Sequence, residues 1–176
     1  DEFGGDVDLD GDRAIIGAPR EDSASNGVNG DGANDGASNS AGATPLIVNA
    51  STRAYVGTGD EILIPGFVVG GDGTLRVLIR AVGPALQAFG VSDALVNPRL
   101  SLLSGSTTVA TNDDWATDNN ITELQAVAAH VGAFPLPPGS RDAALVVSLS
   151  PGAYTVTVNG ANDAVGTALF ELYVVR

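Results

Sequence analysis

Eight short apolar runs, each bounded by Gly, Pro, Asn or Asp, constrain this chain more than any other feature. They are LIVNASTRAYV (46–56), EILIPGFVVG (61–70), LRVLIRAVG (75–83), RLSLL (99–103), TTVAT (107–111), DAALVVSLS (142–150), AYTVTVNG (153–160) and TALFELYVV (167–175). Several alternate with a period of two. Leu75, Val77, Ile79 and Ala81 fall on one face, with Arg76, Leu78 and Arg80 on the other. Tyr154, Val156 and Val158 likewise alternate with Thr155, Thr157 and Asn159. A period of two belongs to strands, whose successive side chains point to opposite faces. Eight such runs predict an all-β fold, an antiparallel jelly-roll-like sandwich or barrel. The pattern puts Val77 and Ile79 in the core with Leu145, Val147, Val156, Val158, Phe170 and Leu172. It puts Arg80 outward or at an edge, beside an acid.

One stretch departs from that pattern. In NNITELQAVAAHVG, Ile121, Leu124, Val127 (or Ala128) and Val131 recur at three and four residues, which predicts one short helix. Asp118 or Asn119 would cap it, and Gly132 would end it. VGPALQAFG (82–90) predicts a further helical turn, and FPLPPGS (134–140) a stiff extended connector.

At 176 residues the chain has room for one domain and an appendage. Its formal charge of −13 argues against a nucleic-acid partner, because little here would neutralise phosphates. All eight basic residues are Arg, and the acids are 16 Asp against 5 Glu. That bias suits turns and calcium ligation more than helices. Without Cys there is no disulfide and no thiolate metal site. No apolar run approaches the ~18 residues of a membrane span. The lack of Met leads us to expect a processed chain or a fragment of a secreted protein, extracellular or at a cell surface.

The chain divides into three parts: an arm at 1–22, a tether or calcium loop at 23–44 rich in Gly, Asn, Ser and Asp, and a β-domain at 45–176. The stretch REDSASNGVNGDGANDGASNSAGAT (20–44) is small and polar with no apolar periodicity, so alone it buries no core. Before it come Phe3-Gly4-Gly5, then DVDLDGDRA, then Ile15-Ile16-Gly17-Ala18-Pro19. This segment resembles one FG-GAP repeat, the blade unit of integrin-type β-propellers. A blade buries its faces against neighbouring blades, so a single unit needs a partner surface. The arm residues that would contact a neighbouring subunit are Phe3, Val7, Leu9, Ile15 and Ile16.

In the main domain, PRLSLLSGSTTVATNDDW (98–115) and LSPGAYTVTVNGANDAVGTALFELYVV (149–175) resemble the bacterial pre-peptidase C-terminal type of β-sandwich. RAYVGTGD (53–60) and VLIRAVGP (77–84) are similar to repeat domains of secreted bacterial proteins. The resemblance implies a module that binds or tethers and is not catalytic. Strands within 46–74 imply a barrel larger than the simplest such module.

Three acidic clusters are candidate calcium sites. Asp6, Asp8, Asp10 and Asp12 with Gly11 read D-x-D-x-D-G, but the EF-hand position for a closing Glu is held by Gly17. Asn29, Asp31, Asn34 and Asp35 interleave with Gly30, Gly32 and Gly36. Asp113 and Asp114 follow Asn112 at a strand end, where an acidic loop of the resembling family can hold calcium. For each cluster the plain alternative stands beside the ion: a solvated turn, a linker, and turn chemistry next to a covering Trp115. Asn49-Ala50-Ser51 and Asn120-Ile121-Thr122 fit the N-glycosylation pattern, making Asn49 and Asn120 acceptors where a glycosylating system exists. His130, the one histidine, is read as a partly buried structural residue, and no nucleophile elbow or triad accompanies it.

Two functions compete. One is a non-enzymatic structural protein that assembles head-to-tail into extracellular filaments by donating its arm to a neighbour, with calcium as a stiffening cofactor. The other is a carbohydrate- or cell-surface-binding module at the end of a longer β-propeller adhesin. It would use a surface glycan as partner, but sugar stacking needs exposed aromatics, and only Trp115, Tyr55, Tyr154 and Tyr173 are available beside five Phe, which weakens that reading.

Overall fold

The computed structural model describes residues 6–10 and 13–16 as backbone, and residues 48–117 and 121–176 in full. The described residues contain ten strands: β1 (Asp6–Asp10), β2 (Arg13–Ile16), β3 (Asn49–Val56), β4 (Gly66–Val69), β5 (Leu75–Val82), β6 (Pro98–Ser104), β7 (Thr107–Asn112), β8 (Ala143–Leu149), β9 (Gly152–Gly160) and β10 (Gly166–Val175). One helix, α1 (Ile121–His130), sits between β7 and β8, and a 3₁₀ turn covers Pro84–Phe89. Each of the eight apolar runs supplies one strand of β3–β10. Two boundaries shift inward: β3 begins at Asn49, and β4 begins only after Pro65. Proline has no N–H for a ladder, so Leu63 makes an isolated bridge to Val158 instead of extending β4.

The strands form two sheets. One is six-stranded in the order β2-β1-β4-β9-β6-β7, the other four-stranded in the order β3-β10-β5-β8. From β3 onward the chain passes from one sheet to the other at every connection except the β6–β7 hairpin. The pairings are antiparallel apart from β1 with β4, which run parallel. The sheets do not close, so the fold is a sandwich and the larger barrel expected from 46–74 does not form. β3 instead ends the four-stranded sheet, and β4 joins the arm to β9.

Between the sheets lies an apolar core. Phe67, Val69, Leu100, Leu102, Val156 and Val158 come from the six-stranded sheet, and Val77, Ile79, Leu145, Phe170 and Leu172 from the four-stranded one. The expected inward set is in place, with Val147 partly buried against it. Phe67 and Tyr154 stack across β4 and β9 at 5.5 Å between ring centres.

A second core covers the other face of the four-stranded sheet. Leu78, Val82, Ala144 and Tyr173 pack there beneath Leu124, Val127 and Ala128 of α1, together with Trp115 and Leu136. Here the expectation for Arg80 needs correction. It does lie opposite Val77 and Ile79, but that face is roofed by the helix and Arg80 is fully buried. The acid beside it is Glu171 of β10, its register partner in the neighbouring strand.

Candidate functional site

The joint between arm and domain is made by backbone. β1 lies parallel to β4, with Asp6 opposite Gly66 and Val7 opposite Phe67. β2 folds back antiparallel on its outer side, pairing Val7 with Ile16 and Leu9 with Ala14. The arm therefore extends the edge of its own chain's sheet at β4. Of the expected contact residues, Val7 and Leu9 lie on β1 and Ile15 and Ile16 on β2, while Phe3 is outside the described residues. Asp6, Asp8 and Asp10 belong to an extended strand. Asp12, Asn29, Asp31, Asn34, Asp35 and Asn120 lie outside the described residues.

The Asn112–Asp114 loop closes one end of the sandwich. Asn112 Oδ1 accepts a hydrogen bond from the Ala144 N–H at 2.9 Å, tying β7 to β8 of the other sheet. Asp113 Oδ2 pairs with Arg99 at 3.1 Å on the surface. The carbonyl of Asp114 accepts from Thr117 N and Thr117 Oγ1, which turns the chain into Trp115. Asp113 Oδ1 and Asp114 Oδ1 are shielded from solvent and have no hydrogen-bond partner. These two oxygens are ones a hard cation would take. Among the described residues, no group of three His, Asp or Glu side chains converges as a metal site.

Behind this loop a polar chain runs into the second core. Trp115 Nε1 donates to Ser140 Oγ at 3.1 Å, and Ser140 Oγ donates to Asp142 Oδ2 at 2.6 Å. Asp142 Oδ1 accepts from Gly83 N and Ala85 N, at 2.8 and 3.2 Å, at the start of the 3₁₀ turn. The turn packs so closely that a Cβ at Gly83 would meet the Leu95 carbonyl oxygen at 2.0 Å. Asp142 is fully buried, and these donors stand in for the water it has lost.

Deeper still, Arg80 Nη1 donates to the Phe134 carbonyl at 2.7 Å, and Arg80 Nε lies 3.0 Å from Glu171 Oε2. That last contact has the distance of an ion pair without the angle of a hydrogen bond. Tyr173 Oη donates to Glu171 Oε1 at 2.7 Å. Burial pulls the Arg80 guanidinium below its usual range, while the charge of Glu171 opposes the shift. Burial and the hydrogen bond to Glu171 push the Tyr173 phenol up to about 12.

Other expected roles change with their surroundings. Trp115 is buried, which removes it as a sugar platform. Among the described aromatics only Tyr55 and Phe89 are exposed. His130 is exposed on α1 rather than partly buried, with Nε2 at 3.0 Å from the Arg176 carbonyl. Asn49 is the first residue of β3, and its Nδ2 donates to the Leu172 carbonyl at 3.2 Å. Sequence reading missed the Asp142–Ser140–Trp115 chain. One signal was available: an Asp placed immediately before a continuous apolar run.

No protein-family model matches the chain, so the FG-GAP resemblance rests on residues 3–22 alone. No curated protein matches it. Among solved structures, the chain is similar to the pre-peptidase C-terminal domain of a collagenase from Bacillus anthracis. The identity is 13%, the match covers 72% of this chain and 89% of that domain, and the TM-score is 0.41. The likeness is one of fold, low in degree, and says nothing of activity.

Proposed function

We propose that this chain is a secreted, non-enzymatic structural protein that assembles head-to-tail into extracellular filaments by lending its arm to a neighbouring subunit. The observation that carries the reading is the parallel seat of β1 on the edge of β4. That joint uses backbone groups which a second copy presents equally well. Whether the arm seats on its own β4 or on a neighbour's is then governed by concentration and by the segment between arm and domain. Residues 20–44, small and polar in composition, are long enough when extended to reach tens of ångströms. A contact between one subunit's arm and the next subunit's sheet edge is heterologous. Unless the rotation happens to close a ring, it propagates into a fibre.

Calcium is the proposed stiffening ion. Asp113 Oδ1 and Asp114 Oδ1 support a cation at the sandwich end, and the Asp- and Asn-rich segments of residues 6–35 supply further hard oxygens in sequence. When bound, the ion would neutralise carboxylates that otherwise repel one another.

Electron microscopy of the purified full chain tests the assembly. Filaments are expected, and a variant lacking residues 1–22 should remain folded but monomeric. Filaments of ordinary length from that variant would exclude the arm as the connector. For the ion, excess chelator should lower the Tm, since a ligand bound only by the folded state stabilises it by mass action. An unchanged melting curve would remove calcium from the account.

A further inference from the structure

The roof over the second core is not tight. Between α1 and the outer face of the four-stranded sheet lies a cavity of about 320 Å³. That is near the lower end of the range for small-molecule sites, about 300–1,000 Å³. Its buried wall is Trp115, Leu124, Ala128, Ala133 and Leu136, with Arg80 as the one charged side chain among the described residues that line it. Gln125 and Ala129, both exposed on α1, sit at its mouth.

Arg80 decides what such a cavity would hold. The side chain is fully buried, and its Nη2 has no hydrogen-bond partner. A buried donor without an acceptor is costly, so a ligand that brings an acceptor gains more than its apolar contacts alone provide. The charge of the guanidinium is already answered. Glu171 lies 3.0 Å from Nε, the Phe134 ring faces the guanidinium carbon at 4.3 Å, and the Asp142 carboxylate also acts on it. A second anion would enter beside two carboxylates. A neutral oxygen would meet no such repulsion.

We propose that this cavity is a binding site for a small, neutral, largely apolar molecule carrying one carbonyl oxygen, such as an ester or ketone, which accepts from Arg80 Nη2. The site is independent of the arm and of filament formation.

Trp115 is the one tryptophan in the chain, so its emission reports on the cavity directly. The full chain is titrated with methyl benzoate, with propylbenzene as an apolar analogue of similar size lacking an acceptor, and with 3-phenylpropanoate as the anion. Methyl benzoate should shift Trp115 emission saturably and raise the Tm. Propylbenzene should bind about tenfold more weakly or worse, because it leaves the buried donor unpaired. 3-Phenylpropanoate should bind more weakly than the ester. Ala129→Phe, an exposed position at the mouth, should keep the unliganded Tm and lose the methyl benzoate response. The proposal is overturned if methyl benzoate gives no saturable change, if propylbenzene binds as tightly, or if 3-phenylpropanoate binds more tightly. A folded Ala129→Phe that still binds would also overturn it.

Discussion

The two faces of β10 show how one strand serves two kinds of interior. Phe170 points into the core between the sheets, where its neighbours are apolar. Glu171, the next residue, points into the core under α1, where it meets Arg80 and Tyr173. Both are buried. The first interior is held by area and close packing, which tolerate any apolar side chain of suitable volume. The second depends on charges and donors being matched one by one, so a single loss there leaves a partner stranded. The molecule thus has one interior that degrades gradually and one that fails at single atoms.

The largest effect should come from breaking that match. Glu171→Ala leaves the Arg80 guanidinium buried without its counter-charge and should cost about 3–5 kcal/mol in denaturant unfolding. Replacing both partners, Arg80→Met with Glu171→Leu, should recover part of the loss, because no buried charge remains, although the Tyr173 hydroxyl and the Phe134 carbonyl lose these partners. If the double variant is as unstable as the single one, packing rather than charge governs the second core, and the contrast between the interiors disappears.

That contrast also marks how far the sequence could be read. Strict alternation in β5 assigned Val77 and Ile79 to one face and Arg80 to the other, and the strands and the helix followed from period alone. What alternation does not contain is the roof. An outward face reads the same whether water or a helix lies over it, and α1 is brought there by pairings between residues far apart in sequence. Arg80 was therefore misjudged as outward or at an edge, while of the two roles open to Trp115, a cover at the strand end and a sugar platform, burial leaves the cover. His130 erred in the opposite direction, because the apolar stripe of α1 runs through Leu124, Val127 and Ala128 and leaves it outside. At the candidate sites, the Asp113–Asp114 loop was legible as a run of turn-forming acids at a strand end. Its link to Asp142 was not.

Of similar size is Phe170→Ala, which removes a ring from the inter-sheet core and should cost about 3–5 kcal/mol through lost burial and the cavity left behind. Unlike Glu171→Ala, it should not be rescued by a change at Arg80. Rescue would mean that the two faces of β10 are coupled.

A smaller effect lies in the pH dependence. The Tyr173 phenol is raised to about 12 in the folded chain against about 10 for an unperturbed tyrosine. Between those values the unfolded chain gives up a proton that the folded chain retains. Stability is thus intact below about pH 10 and should fall by roughly 2 kcal/mol as the pH rises toward 12. Tyr173→Phe should flatten this limb. A limb unchanged in the variant would assign it to another group.

The smallest effect belongs to Arg76, whose half-exposed side chain pairs with Glu123 of α1. Arg76→Ala should cost less than about 1 kcal/mol, as solvent screens such a pair. A loss comparable to that of Glu171→Ala would mean that the surface anchors the helix and the buried match does not.

The arm joint calls for a different readout, since its pairing lies within one chain in this structure and the proposed filament would place it between two. The chain has no cysteine, and Asp6 lies opposite Gly66 in the β1–β4 register. Paired positions in neighbouring strands come within reach of a disulfide. The double variant Asp6→Cys with Gly66→Cys, oxidised at filament-forming concentration and run on a non-reducing gel, should therefore give a ladder of covalent oligomers that reductant collapses to monomer. A single monomer band, with all of its thiol consumed in an internal bridge, would mean that each arm seats on its own domain and that the filament account is wrong.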